Sequence, residues 1–410
     1  MDFSEIRQKE FPALERDKTF LDAACVSLAP RRAVLALKEF ADGTMDCLEP
    51  SASAHHVAMD ARREKAYLEG ARLLHADPEE IALVESTTYG LNVAATALRL
   101  PPGSRVLTTS LEFLQVAMPW VMMQGVEVGV VPGREGRFET EDFASAVDDH
   151  TRLIVLSSVQ WCNGWRIDLK DLGDFCRERG IYLVVDAVQH LGALDFDVRH
   201  VHVDIVAAGG HKWLNSPFGC GLLYVRKDLI SQINPAFWGY LNVETPAGGW
   251  PTYFSTPSIR PVNDWRFVQA AKKFEVGGTS NYPGAIALGE SLQIVNELGI
   301  RNVEQHNIGL ADYCAQRLRE VGATLVTHTD VPRENRSSMV VFRFYRDLTE
   351  EMKLLDELHR EGVYVAMRFT SGVGGIRVSC HYFNNEQDVD HLVLCLRQAG
   401  AKKAPDYSRD

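Results

Sequence analysis

The chain lacks most of the features that would set it apart from ordinary globular enzymes. No stretch of its 410 residues approaches the ~20 apolar residues that a membrane helix needs. Its opening segment, MDFSEIRQKEFPALERDK, has no apolar core behind a basic start, so no secretory signal is expected and the location read from it is cytoplasmic. The eight cysteines (25, 47, 162, 176, 220, 314, 380 and 395) are scattered without a C-x-x-C pair. That spacing speaks against a zinc ribbon or a disulfide framework and fits reduced thiols. Basic charge is in deficit: 43 Lys and Arg against 55 Asp and Glu, a net charge of −12. Nucleic acid and anionic membrane surfaces are therefore poor candidates for the main partner. Walker and G-x-G-x-x-G signatures in a strand–helix context, internal repeats and low-complexity tracts are missing as well.

What remains is the length and apolar content of a two-domain enzyme with a sizeable core: 46% apolar and 24% charged residues. A helical pattern spans Ala61 to Leu74. Strand candidates are Ile81–Val84, Arg105–Thr109, Glu127–Val131, Leu153–Val159, Leu183–Asp186, Ile205–Gly209 and Gly221–Val225, with helical stretches such as Asp171–Arg179 between several of them. This alternation predicts a mostly parallel seven-stranded sheet covered on both faces. Ligands of such sheets sit at the carboxyl ends of the strands. Residues 237–267 show no period and hold three of the seven tryptophans. A long aromatic connection of this kind is functional, as the wall of a substrate pocket or as a dimer interface. After a helix at Ala285–Leu298, a second α+β unit follows: a helix at Leu310–Glu320, strands at Thr324–Val326, Met339–Phe344, Val363–Met367 and Ile376–Ser379, and a closing helix at Val389–Gln398. The expected layout is an N-terminal segment (1–20) packed on the small domain, a large domain (21–284), a small C-terminal domain (285–400) and a tail (401–410) without structure.

The stretch YLVVDAVQHLGALDFDVRHVHVDIVAAGGHKWLNSPFGCGLLYV, Tyr182 to Val225, carries the chemistry. One apolar run ends on Asp186, followed by Gln189 and His190; the next ends on Gly209-Gly210-His211-Lys212. A carboxylate and a lysine delivered from neighbouring strand ends suit a pyridoxal phosphate (PLP) site, the acid pairing with the pyridine nitrogen and the lysine forming the Schiff base. Alone, Asp186 also reads as a helix N-cap. The Ser86-Thr87-Thr88 turn before a helix could cap that helix or hold a phosphate at its N-terminus.

The segment resembles the cofactor core of the class V aminotransferases, the fold-type I PLP enzymes that include cysteine desulfurases, kynureninases and isopenicillin N epimerases. The resemblance runs from Phe20-Leu21-Asp22-Ala23-Ala24 to the closing helix. It implies Lys212 as the cofactor lysine and base at Cα, Asp186 on the ring nitrogen, Gln189 on the phenolic oxygen, and Thr87, Thr88 and His211 on the phosphate. Gly209 stands where relatives often carry serine. The segment Phe274 to Asn281 resembles F-E-x-G-T-x-N with one residue inserted, so Thr279 is expected to reach the phosphate of a partner subunit in a homodimer with shared sites. Leu111 to Trp120 resembles a pattern whose histidine stacks on the ring; here Phe113 stands in its place, which can stack but not relay protons. Arg377 matches the arginine that clamps the substrate carboxylate. Ala24 and His55 fall where relatives place pocket residues. Trp161 occupies the position of a usual asparagine, with Asn163 a candidate substitute. His190 is expected to be structural.

His200 and His202 form an H-x-H pair, but with His211 assigned to phosphate no metal site is expected. Desulfurases use a loop cysteine shortly before the carboxylate-binding arginine. No cysteine lies between Cys314 and Cys380, and the corresponding loop reads Val363 to Gly372. The expected reaction is therefore β-elimination from a cysteine-derived L-amino acid, with epimerisation or transamination as alternatives.

Overall fold

Seven short runs of Val, Ile, Leu and Ala build one sheet in the computed structural model, which describes residues 2–16 and 18–401. In chain order they are β1 (Ile81–Val84), β2 (Ser104–Thr109), β3 (Val126–Val131), β4 (Thr151–Ser157), β5 (Tyr182–Asp186), β6 (Ile205–Gly209) and β7 (Gly221–Val225). Their spatial order is β1-β7-β6-β5-β4-β2-β3. Only β7 runs against its neighbours, pairing antiparallel with β1 and β6. All residues of β6 and β7, and all but the first of β5, are buried, as expected where helices cover both faces of a parallel sheet.

The helices between the strands begin and end where their capping residues dictate. The one joining β4 to β5, Leu169–Arg179, starts on Asp168, whose carboxylate accepts from the backbone N–H of Lys170 and Asp171, and stops at Gly180 in a left-handed conformation (φ 64°). The helix at Ala52–Leu74 starts nine residues before the predicted one because the Ser51 hydroxyl caps it at the Ala54 N–H.

The second sheet is antiparallel, with β8 (Thr324–Leu325), β9 (Met339–Arg343), β10 (Ala366–Thr370) and β11 (Val373–Ser379) in the order β10-β11-β9-β8. Residues 363–372, where a strand at Val363–Met367 and the loop expected to carry a desulfurase cysteine overlap in the sequence reading, form two short strands, Val363–Tyr364 and Ala366–Thr370, and a hairpin turn. Ser371 (φ 48°) and Gly372 (φ 78°) make the tight turn, and the Ser371 hydroxyl donates to the Ser110 carbonyl. The N-terminal segment joins this unit. Thr19–Phe20 pairs in parallel with Val363–Tyr364, and Arg7 donates to the Phe383 carbonyl (2.6 Å) and to Asp388 (2.7 Å). The last helix runs Glu386–Ala401, so Ala401 closes it; residues 402–410 of the expected tail lie outside the described residues.

Residues 237–267 are not structureless. A short helix at Gly249–Phe254 and a bridge between Val243 and Phe267 fold the segment on itself, and Tyr240, Trp250, Tyr253, Phe254 and Trp265 pack ring against ring. Among the described residues no helix is long and apolar enough to cross a membrane.

Candidate active site

A cavity of about 370 Å³ opens at the carboxyl ends of β4, β5 and β6, and the second sheet closes its other side. Nine of the eleven residues singled out from sequence line it: Ala24, Thr87, Thr88, Phe113, Asp186, Gln189, His211, Lys212 and Arg377. Its volume lies within the range of small-molecule sites.

Each group is placed by a backbone device that can be named. Past β6 the chain turns sharply at Gly210, where a Cβ would stand 2.6 Å from the Cys220 carbonyl oxygen; only glycine fits. The turn is pinned by the Gly210 N–H on the Cys220 carbonyl (2.9 Å), the Ser216 N–H on the Gly210 carbonyl (2.8 Å) and the Asn215 N–H on the Lys212 carbonyl (2.9 Å). Lys212 is thereby held at the cavity, where burial lowers its pKa to about 8 although the Asp186 carboxylate pulls the other way.

Asp186 ends β5. One oxygen accepts from the Val188 N–H (2.8 Å) in a turn, not in a helix, so the N-cap reading falls away. Burial raises its pKa to about 7, against the pull of the Val188 N–H and of Lys212. A cationic ring nitrogen beside it would supply the charge this carboxylate lacks.

Gln189 has its orientation fixed by chemistry. The Trp213 indole N–H can only donate, and it meets Gln189 Oε1 at 2.8 Å, so the amide nitrogen is turned to the Ala24 carbonyl (3.0 Å). One amide proton remains for a ligand acceptor.

On the phosphate side, the helix Thr87–Leu98 points its N-terminus at the cavity. Ser86 caps the Tyr89 N–H, leaving the N–H groups of Thr87 and Thr88 among those with no partner inside the helix. The Thr87 hydroxyl accepts from the Gly209 N–H (2.8 Å), while Thr88 is exposed. A Cβ at Gly209 would come within 3.1 Å of His211 Nδ1 and 3.2 Å of Thr87 Oγ1, a tight fit between two of the phosphate-side groups. His211 stacks on Phe218, and burial together with Lys212 lowers its pKa to about 4. Phe113 meets Trp161 edge to face at 5.3 Å. These donors, the unpaired lone pairs of Asp186 and the lysine fit a phosphorylated pyridine aldehyde.

Arg377 is 1% exposed. Nη1 donates to the Trp161 carbonyl (2.9 Å) and Nη2 to Asp22 (3.2 Å), whereas Nε has no acceptor. A buried donor of this kind is costly until an anion reaches it.

Three expectations need correction or stand apart. His55 lines a different cavity with Leu35, Lys38 and Met59, between its own helix and Arg31–Gly43; its neighbour His56 contacts the Tyr282 hydroxyl at 2.7 Å. Asn163 does not replace the missing asparagine. It is buried, with its amide on the Gly136 carbonyl (2.7 Å) and its oxygen under the Trp165 N–H (3.0 Å), and Trp161 itself lines the cavity. Thr279 is exposed and does not line the cavity. His190 is buried against Phe196 and the Asp195 carbonyl, in keeping with a structural role. None of residues 237–267 lines the cavity.

The sequence reading missed Cys25, Gln115, Ser157 and Arg368, all of which line the cavity. The signal for Arg368 was period two: it lies two residues from Ala366, the partner of Arg377 in the ladder, and so shares the face of Arg377.

The aminotransferase class-V family model matches residues 19–392. A probable cysteine desulfurase of Methanothermobacter thermautotrophicus is 27% identical, with 95% of this chain and 96% of that protein covered. The isopenicillin N epimerase of Streptomyces clavuligerus is 28% identical over 80% of this chain and 81% of its own length. Among solved structures, the cysteine desulfurase CsdA of Escherichia coli superimposes with a TM-score of 0.82 at 24% identity, covering 98% of this chain and 99% of that one, a likeness of fold.

Proposed function

The chain belongs to the aminotransferase class-V family, and from that membership we propose that it is a PLP-dependent lyase that breaks the Cβ–sulfur bond of a cysteine-derived L-amino acid. The observation that carries this reading is the cavity itself. One amine base, Lys212, shares it with Asp186 beneath and with an unpaired Arg377 donor at the side, while Phe113 and Trp161 supply aromatic surface and no acid.

When bound, PLP supplies an electron sink for the charge left at Cα. Lys212 would hold the cofactor and would act as the base toward the Cα proton; its pKa of about 8 leaves a useful fraction of free amine near neutrality. Asp186 would pair with the pyridine nitrogen and favour its protonated form, and Gln189 would offer its free amide proton to the phenolic oxygen. Thr87, Thr88 and His211 would hold the phosphate, and Arg377 would bind the α-carboxylate in the cavity that Lys212 shares. Loss of that proton and departure of the thiolate balance as RS–CH2–CH(NH3⁺)–COO⁻ plus water giving RSH, pyruvate and ammonium. The β10–β11 hairpin carries no cysteine at the position desulfurases use, which favours elimination over persulfide formation. The same reading makes the enzyme a homodimer in which the exposed Thr279 serves the neighbouring subunit's phosphate.

The test is to mix holoenzyme with L-cysteine, S-substituted cysteines and L-alanine. Pyruvate from the sulfur compounds, lost in Lys212→Ala together with the long-wavelength absorbance of the bound cofactor, is the expected result. Cα deuterium exchange with racemisation and no pyruvate would overturn elimination in favour of epimerisation.

A further inference from the structure

Residues 21–27 form a strap across one wall of the cavity. One end is bound to the strand of Arg377, where the Ser379 N–H donates to the Leu21 carbonyl (2.8 Å) and Asp22 bridges to Ser379. The other end is bound to the turn of Lys212, through the Ser27 N–H on the His211 carbonyl (2.8 Å). Between them the chain turns, the Cys25 N–H donating to the Asp22 carbonyl (3.0 Å), and Cys25 lines the cavity. The thiol thus belongs to a segment held between the base and the group that clamps the carboxylate, and it acts electrostatically on both Lys212 and Arg377. Its sulfur accepts from Nη2 of Arg368 (3.2 Å), a guanidinium whose charge Asp22 offsets. Among the described residues nothing accepts the proton of Cys25 in return. Other proton donors of the wall are engaged elsewhere: Ser157 donates to Glu112 (2.6 Å), and Thr87, Thr88 and His211 lie on the phosphate side. Arg377 marks the same space independently as the place of a ligand, being 1% exposed with an Nε that has no acceptor.

Resting on the reading of this cavity as a lyase site, we propose that Cys25 is the acid of the reaction, the group that protonates the sulfur as it leaves Cβ. The Cα–H bond breaks with its proton passing to Lys212, and its electron pair is released to expel sulfur from Cβ. The Cβ–S pair goes to the sulfur, which takes the Cys25 proton. Lys212 is left one proton richer and Cys25 one poorer, and transfer between them, direct or through water, restores both. A thiol and an alkanethiolate differ little in proton affinity, so the step is close to balanced and consumes no further reagent.

The holoenzyme is tested with S-ethyl-L-cysteine, whose thiolate is a strong base and needs a proton to leave, and S-(2-nitrophenyl)-L-cysteine, whose thiolate is a weak base and leaves without one. Pyruvate in the first turnover after rapid mixing gives a rate for each. General acid catalysis contributes on the order of 100-fold or more, so Cys25→Ala should raise the nitrophenyl-to-ethyl rate ratio by that factor. Cys25→Ser keeps the shape but is a far weaker acid, and should raise the ratio as well. A ratio unchanged in Cys25→Ala, whether both rates fall or neither does, overturns the proposal, because the proton then comes from Lys212 or water. So does a wild-type ratio in Cys25→Ser. A second readout needs no turnover. Iodoacetamide, followed by mass spectrometry, should label Cys25 and the exposed Cys47 of the holoenzyme, and L-alanine at a concentration that saturates the change in cofactor absorbance should protect Cys25 alone. A Cys25 that never labels, or labels equally with L-alanine bound, does not face the substrate, and the proposal falls. Each of these outcomes leaves the lyase reading standing, since the wild type still forms pyruvate. A wild type that forms no pyruvate from either probe defeats that reading and this proposal with it.

Discussion

Replacing Arg377 by methionine keeps the shape of the side chain and removes its charge, and the cost should depend on pH in a way set by Asp22. In the folded protein the Asp22 carboxyl is held above its ordinary pKa by burial, while the charge of Arg377 and its hydrogen bond pull it back down. A folded-state pKa above the unfolded one means that the folded state holds the extra proton. The stability this gives is present at low pH and is lost as pH rises through the folded pKa. Without Arg377 that pKa climbs further, so the variant keeps losing stability over a range where the wild type has stopped. The deficit is therefore small near pH 4 and grows toward neutrality. Breaking a buried pair by deleting one partner costs about 3–5 kcal/mol. The Asp22 side chain is 17% exposed and Arg368 remains nearby, so the pH-dependent part should be lower, about 2–3 kcal/mol by pH 7.5. A further ~1 kcal/mol, independent of pH, comes from the Trp161 carbonyl left without its donor. Urea unfolding of the cofactor-free protein between pH 4 and 7.5 reads the deficit, with Lys212, at a pKa of about 8, entering only at the upper end of the range. Asp22→Asn in the Arg377→Met background should remove the slope and recover most of the loss. A deficit equal at both ends of the range, or one that Asp22→Asn fails to reduce, would refute the argument.

Two further outcomes are expected from the cofactor side of the cavity. Trp213→Phe leaves Gln189 Oε1 buried without its donor and should cost about 1–3 kcal/mol in urea unfolding. Because the Gln189 amide is then free to turn over, PLP affinity by titration should fall as well, and an unchanged affinity would count against its role in orienting Gln189. Asp186→Asn should stabilise the cofactor-free protein at pH 7.5 while weakening PLP binding. The wild-type carboxyl has its pKa raised to about 7, so the stability of its protonated form is lost as pH rises through that value, whereas the amide pays no such penalty. The gain, roughly 1–3 kcal/mol after the loss of the attraction to Lys212, should vanish by pH 4; a gain at pH 4 as large as that at pH 7.5 would contradict it.

The seven-stranded sheet was legible because a parallel sheet buried on both faces writes itself as continuous apolar runs. The strands at Ile81–Val84, Ile205–Gly209 and Gly221–Val225 lie where their hydrophobicity placed them. Helix starts were less legible, because a polar opening turn has no apolar period and its signal is a single capping hydroxyl such as Ser51. Lys212, Asp186 and Gln189 could be found because each follows a strand end in a local pattern. His55 was carried over from the resemblance alone, with no strand end or turn in the local sequence to place it, and it lines a different cavity.

Arg368 and Cys25 show a different limit. They lie 343 positions apart and meet only because Thr19–Phe20 adds itself beside Val363–Tyr364, a two-residue pairing too short to leave a trace in sequence. In sequence, residues 363–372 read as a strand running into a loop without a cysteine. Folded as a hairpin, they present instead a guanidinium, and the thiol of this cavity comes from the other end of the chain to hold it. The residues on which the proposed chemistry rests, Lys212 and Asp186, stand at strand ends in local patterns that the sequence displays, whereas Arg368 and Cys25 reach the same cavity only through the fold.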